Sequence, residues 1–202
     1  MGLGKVLPIL RGAGINQPLL LDYAHLVAAG EWCHMFPEGG IWQLPHLGGR
    51  EGSSAQEKGR LKWGVGKLIA HSPHRPHVIV FFFSGMETTI PQDPLTKAVK
   101  TVVPTPGHKV VVRFSEEIFF DDLIQAHERV YGKVWKYTSM TWEGEQERWV
   151  SSPEDMKLYS KITRRIEKVL ERLNEQSNLE VQVVHTHTCT HPPDMDKEGR
   201  SN

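Results

Sequence analysis

Trp32-Cys33-His34-Met35-Phe36-Pro37-Glu38-Gly39 and, further along, Leu61-Lys62-Trp63-Gly64-Val65-Gly66-Lys67-Leu68-Ile69 decide how this chain is read. Trp32 to Phe36 reads as a short apolar strand. Pro37 ends it, because proline has no N–H to give a sheet ladder. Glu38 and Gly39 then fall at the strand's C-terminal mouth, where open α/β sheets bind their ligands. The second run reads as part of a helix from Arg60 to Ala70, carrying Lys62 and Lys67 on a surface thinned by Gly64 and Gly66. A carboxylate, a glycine and lysines around one strand end predict a polar pocket for an anionic head group. Lys62 and Lys67 lie five apart and do not share a helix face, so one is expected at the pocket and the other in solvent.

Working outward, Lys5 to Leu10, Val78 to Phe83 and His108 to Phe114 read as further strands, the first weakened by Pro8. Helices are expected from Leu19 to Ala29 after Pro18, and from Phe119 to Tyr131. The clearest start is Ser152-Pro153-Glu154-Asp155: a capping serine, a first-turn proline, then acids at the positive end of the helix dipole. From there Tyr159, Ile162, Ile166, Val169, Leu170 and Leu173 keep the three-four spacing of one buried face as far as Asn174. Lys157, Lys161, Arg164, Arg165, Lys168 and Arg172 occupy the remainder, which favours core packing with a solvated back over a membrane-surface helix. The fold class expected is α/β: one domain with a mixed β-sheet flanked by helices. Residues 1–150 form its body, 151–176 a helix packed on it, and 177–202 a disordered polar tail.

Composition sets the limits. The chain has 202 residues, enough for one domain with a core of its own. Lys plus Arg and Asp plus Glu both number 24, so no global charge draws it to nucleic acid. Two cysteines, Cys33 and Cys189, give no disulfide framework and suit a reducing compartment. The longest apolar run, Val78 to Phe83, is far short of the roughly twenty residues needed to cross a bilayer. No targeting signal is legible.

Four ordered segments together carry a resemblance. Gly4-Lys5-Val6-Leu7-Pro8-Ile9-Leu10-Arg11-Gly12 is similar to the second block of the glycerolipid acyltransferases, and Phe36-Pro37-Glu38-Gly39 to the third. The Lys62-Trp63-Gly64-x-Gly66-x-Leu68-Ile69 run follows the third as it does in one branch. Val78 to Phe83, with Gly85-Met86 and Pro91, is similar to the fourth. From about Gly2 to Pro91 the chain most closely resembles the tafazzin family of phospholipid–lysophospholipid transacylases.

That resemblance implies acyl transfer between a phospholipid and a lysophospholipid, with cardiolipin among the substrates. It implies peripheral association with a mitochondrial membrane facing the intermembrane space, and no cofactor. It implies that Arg11 grips the substrate phosphate, that Glu38 and Lys62 bind the head group, and that Gly39 lets it approach the backbone. The family's catalytic base belongs to a His-x4-Asp block preceding the second block. Here the second block opens at Gly2, so the chain reads as a tafazzin homologue lacking its N-terminal part, and no catalytic residue is assigned. Low turnover is expected of this polypeptide alone, with exposed apolar surface near Lys5 to Leu10.

Two local patterns mimic the missing dyad. His191 to Asp196 fits by count, but it holds two prolines and follows every other block. His46 to Glu51 ends in glutamate within a glycine-rich loop. His71, His74 and His77 come at intervals of three, but Pro73 and Pro76 make that stretch a turn. His185, His187, Cys189 and His191 alternate as zinc ligands on a strand would. Their threonine spacers favour a solvated tail, and no metal ligand is assigned. Two other functions are weighed: a homologue that binds lipid head groups without turnover, and a soluble α/β module with a metal-binding tail.

Overall fold

The computed structural model describes residues 9–10, 12–39, 61–72, 74–93, 96, 98–101, 103–135 and 149–188, with side chains as far as 177. In chain order the elements are α1 (Pro18–Ala28), α2 (Gly64–Ala70), β1 (Phe81–Ser84), α3 (Met86–Thr89), β2 (Val111–Phe114), α4 (Asp121–Tyr131) and α5 (Pro153–Thr188).

The organising element is α5. Its start is a reciprocal cap: the Asp155 N–H donates to Ser152 Oγ at 3.1 Å, and the Ser152 N–H donates to Asp155 Oδ2 at 3.2 Å. Asp155 also meets His127 of α4, Nε2 to Oδ1, at 3.0 Å. Along the helix Tyr159, Ile162, Ile166, Val169 and Leu173 are buried, while Lys157, Lys161, Arg164, Lys168 and Arg172 are exposed. That is the division the sequence predicts, except that Leu170 and Arg165 are both half-buried. The helix runs on to Thr188, past the fading of its apolar periodicity near Gln176.

Against this face pack α2, α4 and β1. Between α2 and α5 the backbones touch. A Cβ on Gly66 would run into the Tyr159 carbonyl and sit 2.8 Å from Thr163 Oγ1, so only glycine allows this approach. The main core joins Ile69, Val80, Phe120, Ile124, Tyr159, Ile162 and their neighbours. A smaller cluster packs Leu20, Leu21 and Ala24 of α1 against Leu68 and Trp149. Arg165 clips α4 to α5 with two bonds of 2.6 Å to the Asp122 carboxylate.

The sheet is smaller than expected. Among the described residues it has two strands, β1 and β2, antiparallel, with Phe81 opposite Phe114 and Ser84 opposite Val111. An isolated bridge from Val78 to Ile118 extends the pairing. Trp32 to Phe36 is not a strand: Trp32 is 94% exposed and Phe36 64%. Among the described residues no neighbouring strand gives this stretch a ladder. Instead the Tyr23 hydroxyl donates to the His34 carbonyl at 2.5 Å. The strand expected at Lys5 to Leu10 lies outside the described residues except for Ile9 and Leu10, which are exposed coil.

Candidate functional site

Pro37, Glu38 and Gly39 form a turn. Gly39 has φ of +72°, the left-handed conformation that glycine adopts without a steric penalty. Lys62 lies against it. The Lys62 N–H donates to the Pro37 carbonyl at 2.7 Å, and a Cβ built on Gly39 would meet Lys62 Cε at 2.9 Å and Cγ at 3.5 Å. Two segments separated by more than twenty residues thus meet backbone to backbone and stem to backbone. Next to Lys62, the Leu61 N–H donates to Glu167 Oε1 of α5 at 2.7 Å, and Leu61 itself is buried in the main core. The N–H of the lysine and that of the residue before it are both bonded, while its side chain is exposed. Among the described residues no carboxylate pairs with the Lys62 ammonium. Glu38, next to Gly39 in sequence, is half-buried.

Of the residues singled out by sequence, Glu38, Gly39 and Lys62 therefore fall on one turn and its partner segment. Arg11 lies outside the described residues, as do His46 to Glu51 and His191 to Asp196. A surface hollow of about 500 Å³ opens beside Leu10, Asn16 and Asp22, and Glu38, Gly39 and Lys62 do not line it.

Lys67 departs from expectation. It is not solvated but fully buried. Its Nζ donates to Asn16 Oδ1 at 2.9 Å and to the Trp149 carbonyl at 2.5 Å, and lies 3.9 Å from the Trp149 ring centroid. Burial pulls its pKa down to about 7, and Asp155 opposes this. Asn16 Oδ1 also accepts from the Ser151 N–H at 3.2 Å and the Ser151 hydroxyl at 3.1 Å. One turn on, buried His71 bonds the Tyr159 hydroxyl through Nε2 at 2.7 Å. The signal for this burial is present in the sequence. Lys67 and His71 are spaced i, i+4 and interleaved with Leu68, Ile69 and Ala70, so both share a helix that is apolar around them.

Neither Cys33 nor Tyr23 is poised as a nucleophile. Burial raises the Cys33 thiol, with Glu31 adding to it. Burial and the neighbouring Cys33 push the Tyr23 phenol up to about 12, so it remains a hydrogen-bond donor. No group of three or more His, Cys, Asp or Glu among the described residues is placed to hold a metal ion. His77 is taken up by Glu117 at 2.6 Å. The backbone at His185 and His187 is helical, so their alternation is not that of a strand, while Cys189 and His191 lie outside the described residues. No helix among the described residues is long and apolar enough to cross a membrane.

Comparison with known proteins finds relatives for part of the chain. The chain is 34% identical over 120 residues to an N-acylphosphatidylethanolamine synthase of Arabidopsis thaliana, covering 58% of this chain and 38% of that protein. It is 30% identical over 121 residues to tafazzin of Drosophila melanogaster, covering 60% of this chain and 28% of the relative. Over 129 residues it is 29% identical to a taffazin of Dictyostelium discoideum, covering 39% of that protein. The matched stretch thus spans between about a quarter and two fifths of the relatives' lengths. No protein-family model matches the chain, and no solved structure matches it. Over about 60% of its length the chain is thus similar to an N-acylphosphatidylethanolamine synthase and to two proteins of tafazzin name.

Proposed function

We propose that this chain carries the head-group side of a tafazzin-type phospholipid–lysophospholipid acyltransferase, acting on membrane phospholipids such as cardiolipin. One observation supports this above the others: the exposed Lys62 side chain lies against the left-handed Gly39 turn, with the Lys62 N–H bonded to Pro37 and the preceding Leu61 N–H bonded to Glu167. A phosphate beside that turn would meet a cation and an open glycine backbone together.

The reaction this implies moves an acyl group between hydroxyls. A histidine base takes the proton of the lysolipid hydroxyl, and the oxygen attacks the donor's acyl carbonyl. The donor ester bond then breaks, and its departing oxygen takes the proton back. The residues of this chain would bind and orient the phosphate so that the two oxygens share one base. No residue of this chain is assigned as that base. Peripheral association with a mitochondrial membrane is proposed on the same resemblance.

The test is acyl transfer from phosphatidylcholine to labelled lysocardiolipin, with wild type, Lys62→Ala and Lys62→Glu. The expected result is a lysolipid KM raised about tenfold by Lys62→Ala and further by Lys62→Glu, in line with loss of a charge-assisted bond. Equal KM for all three would remove Lys62 from the site. Saturable lysolipid binding without turnover would make the chain a head-group binder.

A further inference from the structure

One face of the β1–β2 ribbon is apolar and open. Ile79, Phe81 and Phe83 share it along the first strand with Val110, Val112 and Phe114 along the second, and the register sets Phe81 opposite Phe114 and Phe83 opposite Val112. Phe83 is 42% exposed and Phe114 67%. The alternate residues turn inward: Val80 is buried, Phe82 packs on the main core, and Arg113 reaches Ser177 at 2.9 Å.

The patch extends beyond the strands. The Phe36 ring lies 5.8 Å from that of Phe81, and His34 lies 5.0 Å from it. Trp32 continues the same alternation and is almost wholly exposed, whereas Met35 packs inward on the smaller core cluster. Exposed His108 and Lys109 stand at the head of β2, and exposed Lys100 lies in the connection leading to it. None of the three forms an ion pair among the described residues. At the opposite end Glu117 is taken up by His77.

Phenylalanine and tryptophan on an open face, with cations at one end, suit the boundary between acyl chains and anionic head groups. A patch of this kind is uncommon on a monomer without a partner. It also leads without a break from Phe36 into Pro37-Glu38-Gly39, so a bilayer against the rings would bring head groups level with that turn.

We propose that the outward face of the β1–β2 ribbon, with Trp32 and Phe36, rests on an anionic phospholipid bilayer, Lys100 and Lys109 facing the head groups. The use of this docking rests on the acyl-transfer reading, but the docking itself is measured without turnover. The test is co-sedimentation of the full chain with vesicles of phosphatidylcholine alone and of phosphatidylcholine mixed with phosphatidylglycerol. Wild type should partition onto the mixed vesicles, and Phe83→Glu/Phe114→Glu should lose about tenfold or more. Lys100→Ala/Lys109→Ala should lose several-fold on mixed vesicles and nothing on phosphatidylcholine. Should the phenylalanine pair fail to fold by circular dichroism, Trp32→Glu, at a fully exposed position, should lose several-fold.

The proposal is overturned if wild type binds neither vesicle, or if a folded phenylalanine variant binds as wild type does. A wild-type dimer broken by the same variant with vesicle binding intact would assign the face to a second copy. Vesicle binding with no saturable lysolipid binding would sink the proposed function alone. Acyl transfer on vesicles that ignores Phe83→Glu/Phe114→Glu would sink the docking alone.

Discussion

Glu167 reaches across 106 positions of sequence to accept the Leu61 N–H at 2.7 Å. The bond fastens the start of the Lys62 segment to the long helix. Glu167→Ala would leave that N–H without its acceptor in a partly buried place, at a cost of about 1–2 kcal/mol. Glu167→Gln keeps an acceptor and should cost less than half as much. Urea midpoints at unchanged m-value check both, and equal midpoints for Ala and Gln would refute the clamp.

Gly39→Ala combines two penalties. The left-handed backbone costs alanine about 1 kcal/mol, and the new Cβ would lie 2.9 Å from Lys62 Cε. Because that neighbour is the far end of a flexible stem, the lysine moves and the fold survives. The expected pattern is a loss of about 1 kcal/mol in stability with a several-fold rise in lysolipid KM. Loss of stability with KM unchanged would separate the turn from binding.

Gly66→Ala has no such escape, because the obstacle is the Tyr159 backbone. Helices α2 and α5 would have to part, at a cost of about 2–3 kcal/mol as for other overpacked cores. Thermal unfolding measures it, and a melting temperature within a degree or so of wild type would contradict the close approach.

Lys67 predicts a pH dependence. Its folded pKa of about 7 lies below the ordinary lysine value of about 10.4. Between those values the unfolded chain binds more protons than the folded one, so stability rises with pH there. Below about 7 both states are charged, and the contribution is flat and least favourable. The difference in unfolding free energy between wild type and Lys67→Met should therefore climb from pH 7 toward 10, at up to about 1.4 kcal/mol per unit. Taking the difference cancels the contributions of the raised Cys33 thiol and Tyr23 phenol. A flat difference would mean that the ammonium is solvated.

The helices were legible because their signals are local. Ser152, Pro153 and Asp155 announce the start of α5, and the spacing from Tyr159 to Leu173 gives its buried face. The Trp32 stretch misled for a physical reason. Apolar alternation states which residues avoid water, but a strand needs a partner ladder that no local pattern supplies. Lys67 misled because a lysine's usual place is solvent, and its acceptors, Asn16 and Trp149, lie 51 and 82 positions away. Gly39 and Lys62 were named from sequence, but their contact belongs to the tertiary fold. Glu167 and Asn16 were not singled out, because each acts only through a backbone or ammonium group distant in the chain.

Asn16 Oδ1 accepts hydrogen bonds from Lys67 Nζ and from the N–H and hydroxyl of Ser151. Among homologous chains, positions 16, 67 and 151 should consequently drift as a set. Aspartate at 16 would be almost the same shape, yet it would turn a shared amide oxygen into a counter-ion and return the lysine toward permanent charge. A lineage that lost the lysine would be freed to carry an aliphatic side chain at 16.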